Sequence, residues 1–206
     1  MSRRITMRQL IIATKNKGKA KEFSDLFLRY NFHIKTLLDI ETSIKIEETG
    51  SSFIENACLK AEQAREVLNT HVLADDSGLV VDALDGAPGI YSARYAGEHA
   101  TDQRNIDKLL INLKNVPEKE RTARFVAVIA LALQNGETIY RKGICEGKIA
   151  FQQSGSYGFG YDPIFIPKGY DVTMAELKPA QKNDISHRKH ALDKLDQWLK
   201  ENEHLL

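Results

Sequence analysis

The residues best suited to chemistry lie between Leu73 and Gly97, in the stretch LADDSGLVVDALDGAPGIYSARYAG. Asp75 and Asp76 end an apolar run and are followed at once by Ser77-Gly78. Paired acids and a hydroxyl at the end of a buried strand put negative charge at the rim of a sheet, where α/β proteins bind ligands. Neighbouring carboxylates are stabilised by a cation, and oxygen donors favour a hard one such as Mg²⁺. The same four residues are also good turn chemistry.

A basic segment, Thr14-Lys15-Asn16-Lys17-Gly18-Lys19, stands between an apolar run and a helical pattern. Backbone amides and a helix N-terminus attract phosphate at such a junction. The spacing from Ala13 nearly matches a P-loop, but Ala20 stands where a Ser or Thr would hold Mg²⁺. Phosphate binding survives that change only if another segment holds the metal; otherwise the segment is an ordinary basic turn. Glu47-Glu48-Thr49-Gly50 supplies a second acidic pair. It either favours the next helix N-terminus electrostatically or forms the other half of a metal site beside Asp75-Asp76. Lys60 falls inside an apolar helical stripe, between Phe53 and Val67 and close to Ala57 and Ala64. A lysine placed there either extends its head to solvent or reaches an acid or a phosphate.

Phe159-Gly160-Tyr161-Asp162 puts an aromatic ring and a carboxylate on a glycine-rich loop. The ring can stack on a base and the acid can accept from a purine N–H; alternatively Phe159 is a core residue beside a turn. Lys182 and Ser186-His187-Arg188 precede or open the last helix. They offer donors to phosphate or to the O6 of an oxo-purine, or form a solvated helix start.

The elements that position these residues follow from pattern. Gln9–Thr14 reads as a short buried strand, with the loop Thr14–Lys19 and then a helix carrying Ala20, Phe23, Phe27 and Tyr30 on one face. His33–Leu38 reads as a strand. Ser52-Phe-Ile-Glu55 has capping-box form and opens a helix to about Leu68. Val72–Ala74 and Gly78–Leu84 are strand-like on either side of the acidic turn, and Asp85–Gly97 is a long loop. Thr101–Lys114 is amphipathic through Ile106, Leu109, Leu110 and Leu113. Arg124–Leu133 is an apolar strand, and Asn135-Gly136 turns it into Glu137–Ile149. The glycine-rich loop Gly155–Gly160 leads to a short strand ending at Ile166. The final helix, about Ser186–Lys200, packs through Leu192, Leu195, Trp198 and Leu199. Interleaved strands and helices with one hairpin predict a mixed α/β sheet.

The 206 residues suit one large domain or two small lobes. Lys plus Arg total 29 and Asp plus Glu 28, a formal charge of +1, which disfavours a nucleic-acid binder. Cys58 and Cys145 lack CxxC spacing, which argues against structural zinc and disulfides and for a reducing compartment. The opening MSRRITMRQLIIA has too short an apolar run for a signal segment or a membrane span, so a soluble intracellular protein is expected.

In this order, the segments TKNKGK (Thr14–Lys19), EETGSSFIENACLK (Glu47–Lys60), Leu73–Gly97, FGYDP (Phe159–Pro163) and ISHR (Ile185–Arg188) resemble the inosine triphosphate pyrophosphatase family, from Met7 onward. That family hydrolyses non-standard purine nucleoside triphosphates to the monophosphate and pyrophosphate. The resemblance implies one ITPase-like domain over residues 1–206, with residues 1–6 as an extension. It also implies a long mixed central sheet flanked by helices, two lobes with a cleft between them, and a cytoplasmic homodimer. It implies that Thr14, Asn16 and Lys19 bind the triphosphate, with Lys15, Lys17 and Gly18 in the same loop and Lys60 nearby as a catalytic cation. Glu47 and Asp76 would hold Mg²⁺ with Glu48 and Asp75 close, Asp76 would activate water, and Ser77 would contact substrate. Phe159 would stack on the base, with Gly160, Tyr161, Asp162, Lys182, His187 and Arg188 around its edge. One departure is Tyr157, where the family leads one to expect a smaller residue. The alternatives are a pyrophosphatase for modified pyrimidine nucleotides and a module that binds nucleotides without cleaving them.

Overall fold

The computed structural model describes residues 8–14, 17–27, 30, 32–40, 44 and 46–205. Residues 1–6, Lys15 and Asn16, all named above, lie outside them. The strands are β1 (Arg8–Ile12), β2 (Phe32–Thr36), β3 (His71–Val81), β4 (Thr122–Ala132), β5 (Thr138–Ile149) and β6 (Phe165–Pro167). The helices are α1 (Lys17–Phe27), α2 (Phe53–Leu68), α3 (Asp102–Asn112), α4 (Pro179–Ile185) and α5 (His187–Glu201). The strand order is β2-β1-β3-β4-β5-β6, with β1 parallel to β2 and β3, and β6 antiparallel to β5. The sheet is mixed, as the pattern predicts. Among the described residues no helix is long and apolar enough to cross a membrane.

Contacts divide the chain into two compact units. The first comprises Met1–Asp76, Val128–Arg141 and Leu192–Leu206; the second comprises Ser77–Ala127 and Lys142–Ala191. In the first unit, Leu10, Ile11 and Ile12 of β1 are wholly buried, which is what an apolar run in a parallel strand requires. The α2 helix rests on Ala57, Ala61 and Ala64, packed with Ile11, Val72, Ala74, Val128, Ala130 and Ala132. Phe23 and Phe27 bury the face of α1, and the Phe27 and Phe32 rings meet edge to face at 5.8 Å. The predicted start of α2 is present. Ser52 is its N-cap and accepts from the Glu55 amide at 3.2 Å, while the Glu55 carboxylate accepts from the Ser51 amide at 2.6 Å. Asn69, left-handed at φ 48°, ends the helix. The Asn135-Gly136 turn is also present, with the Leu133 amide donating to the Glu137 carbonyl at 2.7 Å.

The second unit has its own core of Leu79, Val81, Ile106, Leu109, Leu113, Phe125, Ile149, Ile164 and Phe165. Arg121 lies inside this unit at 1% exposure. Its guanidinium donates to the carbonyls of Ile149 (3.0 Å), Leu113 (2.9 Å) and Ala150 (2.9 Å), and it lies 4.4 Å from the Phe151 ring centroid. It joins the end of α3 to the end of β5. A positive group at the last carbonyls of a helix is also favoured by the helix dipole.

The main correction concerns the acidic segment. Asp75-Asp76-Ser77-Gly78 is not a turn between two strands but the middle of one eleven-residue strand, β3. Turn propensity loses because each acid meets a lysine from a different helix, so the extended backbone can carry both charges in a buried position. Two smaller corrections concern helices. α1 begins at Lys17, so Lys19 is helical rather than in a loop, and the seven-residue α4 occupies a stretch given no element above.

Candidate active site

In the first unit the candidate side chains converge on the two strand aspartates. Successive strand residues point to opposite faces. Asp75 meets α1, where Lys19 Nζ lies 2.6 Å from its Oδ2. Asp76 meets α2, one helical turn of which supplies both partners: Lys60 Nζ lies 3.2 Å from Oδ1 and Asn56 Nδ2 donates to Oδ2 at 3.4 Å. Residues four apart stack on one helix face, so a single rigid turn holds both oxygens. Lys60 also reaches Glu48 Oε1 at 3.1 Å and the Asp75 carbonyl at 3.3 Å. Of the two readings of Lys60, the structure shows the one that reaches acids; Val67, placed beside it on the helical wheel, faces solvent.

Asn56 is nearly fully buried and works in both directions, since its Oδ1 accepts from the Gly50 amide at 2.9 Å. Gly50 is required there, because a Cβ would stand 2.7 Å from Asn56 Oδ1 and 2.7 Å from Glu55 Cβ. The Glu47 backbone is clasped by Gln63, whose side chain donates to its carbonyl at 3.1 Å and accepts from its amide at 3.0 Å. Glu47 is exposed, and Glu48 is the member of the pair that shares Lys60 with Asp76. Thr14 is buried at the end of β1, and Lys17 and Gly18 open α1.

Electrostatics follow from burial and pairing. Burial pushes the Asp76 carboxyl above the ordinary aspartate value, against the opposing pull of Lys60. Burial pulls the Lys60 ammonium down, but Asp76 and Glu48 outweigh it and hold the group above its usual value. Among the described residues no three His, Cys, Asp or Glu side chains form a ready metal cage. Asp76 and Glu48 nevertheless share one cation, the Lys60 ammonium, and their oxygens are the donor type that a hard divalent ion takes.

In the second unit the aromatic loop residues form another group. Phe159 is 52% exposed, so it is not a core residue beside a turn. Its amide donates to Asp162 Oδ2 at 2.8 Å, and the buried Asp162 carboxylate forms an ion pair with Lys182 of α4. Lys182 Nζ lies 4.8 Å from the centroid of the Phe159 ring, and the Arg188 guanidinium 5.9 Å. Gly158, at φ +82°, passes so close to Asp162 that any side chain would overlap its carboxylate. Arg188 and Ser186 are buried and the His187 ring stacks on Phe125 at 4.9 Å, so the start of α5 is not a solvated helix end. Tyr161 is turned inward, its hydroxyl donating to the Ser92 carbonyl at 2.8 Å, and burial raises its phenol. Ser77 is half-buried in β3, and the Gly160 amide is held by Asp102 of α3 at 2.7 Å. Gly50 and Asn56 lie inside the motif Glu47–Lys60 but carry no role in the sequence reading, and Asp102 lies outside every motif. The one signal in the sequence was Asn56 standing a single turn before the unusual Lys60.

A family model described as the Ham1 family matches residues 10–198. The chain belongs to the Ham1 family. Ham1-family relatives include a dITP/XTP pyrophosphatase of Oceanobacillus iheyensis, 59% identical over 194 residues that cover 94% of this chain and 98% of the relative. One from Bacillus subtilis is 50% identical over 195 residues, covering 95% and 98%. Among solved structures, the Ham1 protein of Staphylococcus aureus matches with a TM-score of 0.88 at 46% identity, covering 94% of this chain and 99% of that one. A HAM1 protein of Coxiella burnetii matches with a TM-score of 0.88 at 41% identity, covering 95% and 100%. The resemblance carried by the five motifs is borne out by this family.

Proposed function

We infer that this Ham1-family chain is a nucleoside triphosphate pyrophosphatase. It hydrolyses the non-standard purine nucleotides ITP, dITP and XTP to the monophosphate and pyrophosphate, and so clears them from the nucleotide pool. The observation that carries this reading is the convergence of Asn56, Lys60 and Glu48 around Asp76, beside the Lys19–Asp75 pair. Relatives 50–59% identical over nearly the whole chain are named dITP/XTP pyrophosphatases.

Hydrolysis of the α–β anhydride adds one water: its oxygen joins phosphorus, its proton leaves, and pyrophosphate departs. Asp76, a buried carboxylate held by Asn56 and Lys60, accepts that proton. Asn56 and Lys60 orient its two oxygens. Lys19, Lys60 and the Thr14–Lys19 segment stabilise charge on the phosphates and the departing pyrophosphate. Asp76 and Glu48, with Glu47 adjacent, would hold Mg²⁺, which when bound supplies neutralisation of the phosphate oxygens. Phe159 stacks on the base while Lys182 and Arg188 donate to its O6; adenine presents an amino donor there and is rejected. Homodimerisation belongs to the same reading, supported by the family resemblance, and sedimentation equilibrium tests it.

The test of function is incubation with ITP, XTP, GTP and ATP, with Mg²⁺ or with EDTA, and separation of products by ion exchange. IMP or XMP plus pyrophosphate, formed only with metal while ATP is largely spared, is the expected result. Release of single phosphates, or no turnover, would overturn it.

A further inference from the structure

Phe159 stands between two glycines with positive φ, Gly158 at 82° and Gly160 at 59°, so local backbone sterics do little to fix its ring. Two consecutive amides do the fixing. The Phe159 N–H is held by Asp162 inside the loop, at 2.8 Å, and the Gly160 N–H is held by Asp102, 58 residues away in sequence, at 2.7 Å. Asp102 is the first residue of α3, where an acid is ordinarily explained by the helix dipole. That helix, however, already has a cap: Thr101 Oγ1 accepts from the Arg104 amide at 3.3 Å. The Asp102 carboxylate is turned to the loop.

The anchor itself is firm. Ile106 and Leu109 bury the inner face of α3 in the second unit's core. The buried Asn105 accepts from the Ala96 amide at 2.8 Å and donates to the Ala93 carbonyl at 3.2 Å. At Gly160 a Cβ would meet nothing within 4 Å, so packing does not restrain that residue and its hydrogen bond does.

We propose that Asp102 is a specificity-determining positioning residue, which ties the Phe159-Gly160 turn to α3 and so fixes the angle at which the Phe159 ring meets a purine. This rests on the reading of Phe159 as the base platform. A charge-assisted hydrogen bond is among the stronger ones, and here it sets the ring that meets the base rather than the reacting phosphates, so its loss acts on binding more than on the chemical step.

The experiment compares the full chain with Asp102→Ala, Asp102→Asn, Thr101→Ala and Phe159→Ala, measuring kcat and KM for ITP and ATP and the thermal midpoint of each. Asp102→Ala raises the KM for ITP about tenfold with kcat within about twofold, and narrows the ITP-over-ATP preference. Asp102→Asn restores both, because its amide oxygen accepts the same N–H. Thr101→Ala weakens the same helix and lowers the midpoint while leaving KM and preference unchanged. The proposal is overturned if Asp102→Ala keeps the wild-type KM and preference while Phe159→Ala raises KM. It is equally overturned if Thr101→Ala reproduces the Asp102→Ala kinetics, or if asparagine fails to rescue. An unchanged KM in Phe159→Ala removes the base-platform reading, and the role of Asp102 with it.

Discussion

Replacing Lys60 by methionine keeps an unbranched apolar stem and removes the ammonium that touches Asp76 Oδ1 at 3.2 Å, Glu48 Oε1 at 3.1 Å and the Asp75 carbonyl at 3.3 Å. The Asp76 side chain is only 10% exposed, so water cannot replace the lost charge. Breaking a buried pair from one side costs about 3–5 kcal/mol. Relief of the lysine's own desolvation puts Lys60→Met near the lower end, about 3 kcal/mol, or roughly 6–12 °C in thermal midpoint for a chain of this size. The deficit carries a pH signature. Burial already holds the Asp76 carboxyl above 3.8, so the folded protein binds that proton more tightly than the unfolded chain. Stability therefore falls as pH rises from 3.8 through the folded value. Loss of Lys60 extends that interval upward. The deficit is then largest near pH 8 and shrinks toward pH 5. Urea unfolding followed by Trp198 fluorescence, in EDTA at both pH values, measures it. A deficit under about 1 kcal/mol at pH 8, or one equal at both pH values, would refute the account of Asp76 as a buried acid held by Lys60.

Gly50→Ala forces a Cβ to within 2.7 Å of Asn56 Oδ1 and breaks the bridge from Gly50 to Asp76; ITP turnover should fall about 10–100-fold with unchanged circular dichroism. Wild-type kcat in that variant would exclude the bridge. Arg121→Met removes the guanidinium donor from the carbonyls of Ile149 and Ala150 and from that of Leu113, which keeps the Val116 amide, and should cost about 2–5 kcal/mol in urea unfolding, whereas a loss below about 1 kcal/mol would show that water reaches them. Burial, reinforced by Glu146 and Asp162, pushes the Cys145 thiol up to about 11. It should therefore stay unmodified by DTNB at neutral pH until urea unfolds the chain, and rapid native labelling would contradict that burial.

Where signals are local, they were legible. The Ser52 capping box and the apolar stripes of the two segments locate α2 and α3 to within a residue or two, because a cap and a stripe act within one or two turns. The acidic segment departs from its local pattern for the opposite reason. Asp-Asp-Ser-Gly favours a turn locally, and only Lys19 and Lys60, 56 and 16 residues away from the acids they meet, make it a strand interior. Asn56 is a weak helix former whose presence makes sense only through Gly50 and Asp76. Asp102 drew no notice, because an acid at a helix start is ordinary chemistry and its pairing with Gly160 leaves no local pattern. α4 is seven residues, too short for periodicity to declare.

The alanine seat of α2 has a consequence for how this protein can drift. Ala57, Ala61 and Ala64 are wholly buried in one cluster with Ala74, Ala130 and Ala132 and the branched Ile11, Val72 and Val128, so α2 offers only methyl groups to this seam. Trimming is scarcely possible there, and nearly every change is an enlargement. One added methyl lifts the turn that carries Asn56 and Lys60 as a rigid body, while the remaining core of the first unit still packs. Replacements along this seam should thus accumulate as folded but catalytically silent chains, and small side chains here serve as the gauge that sets the reach of a lysine.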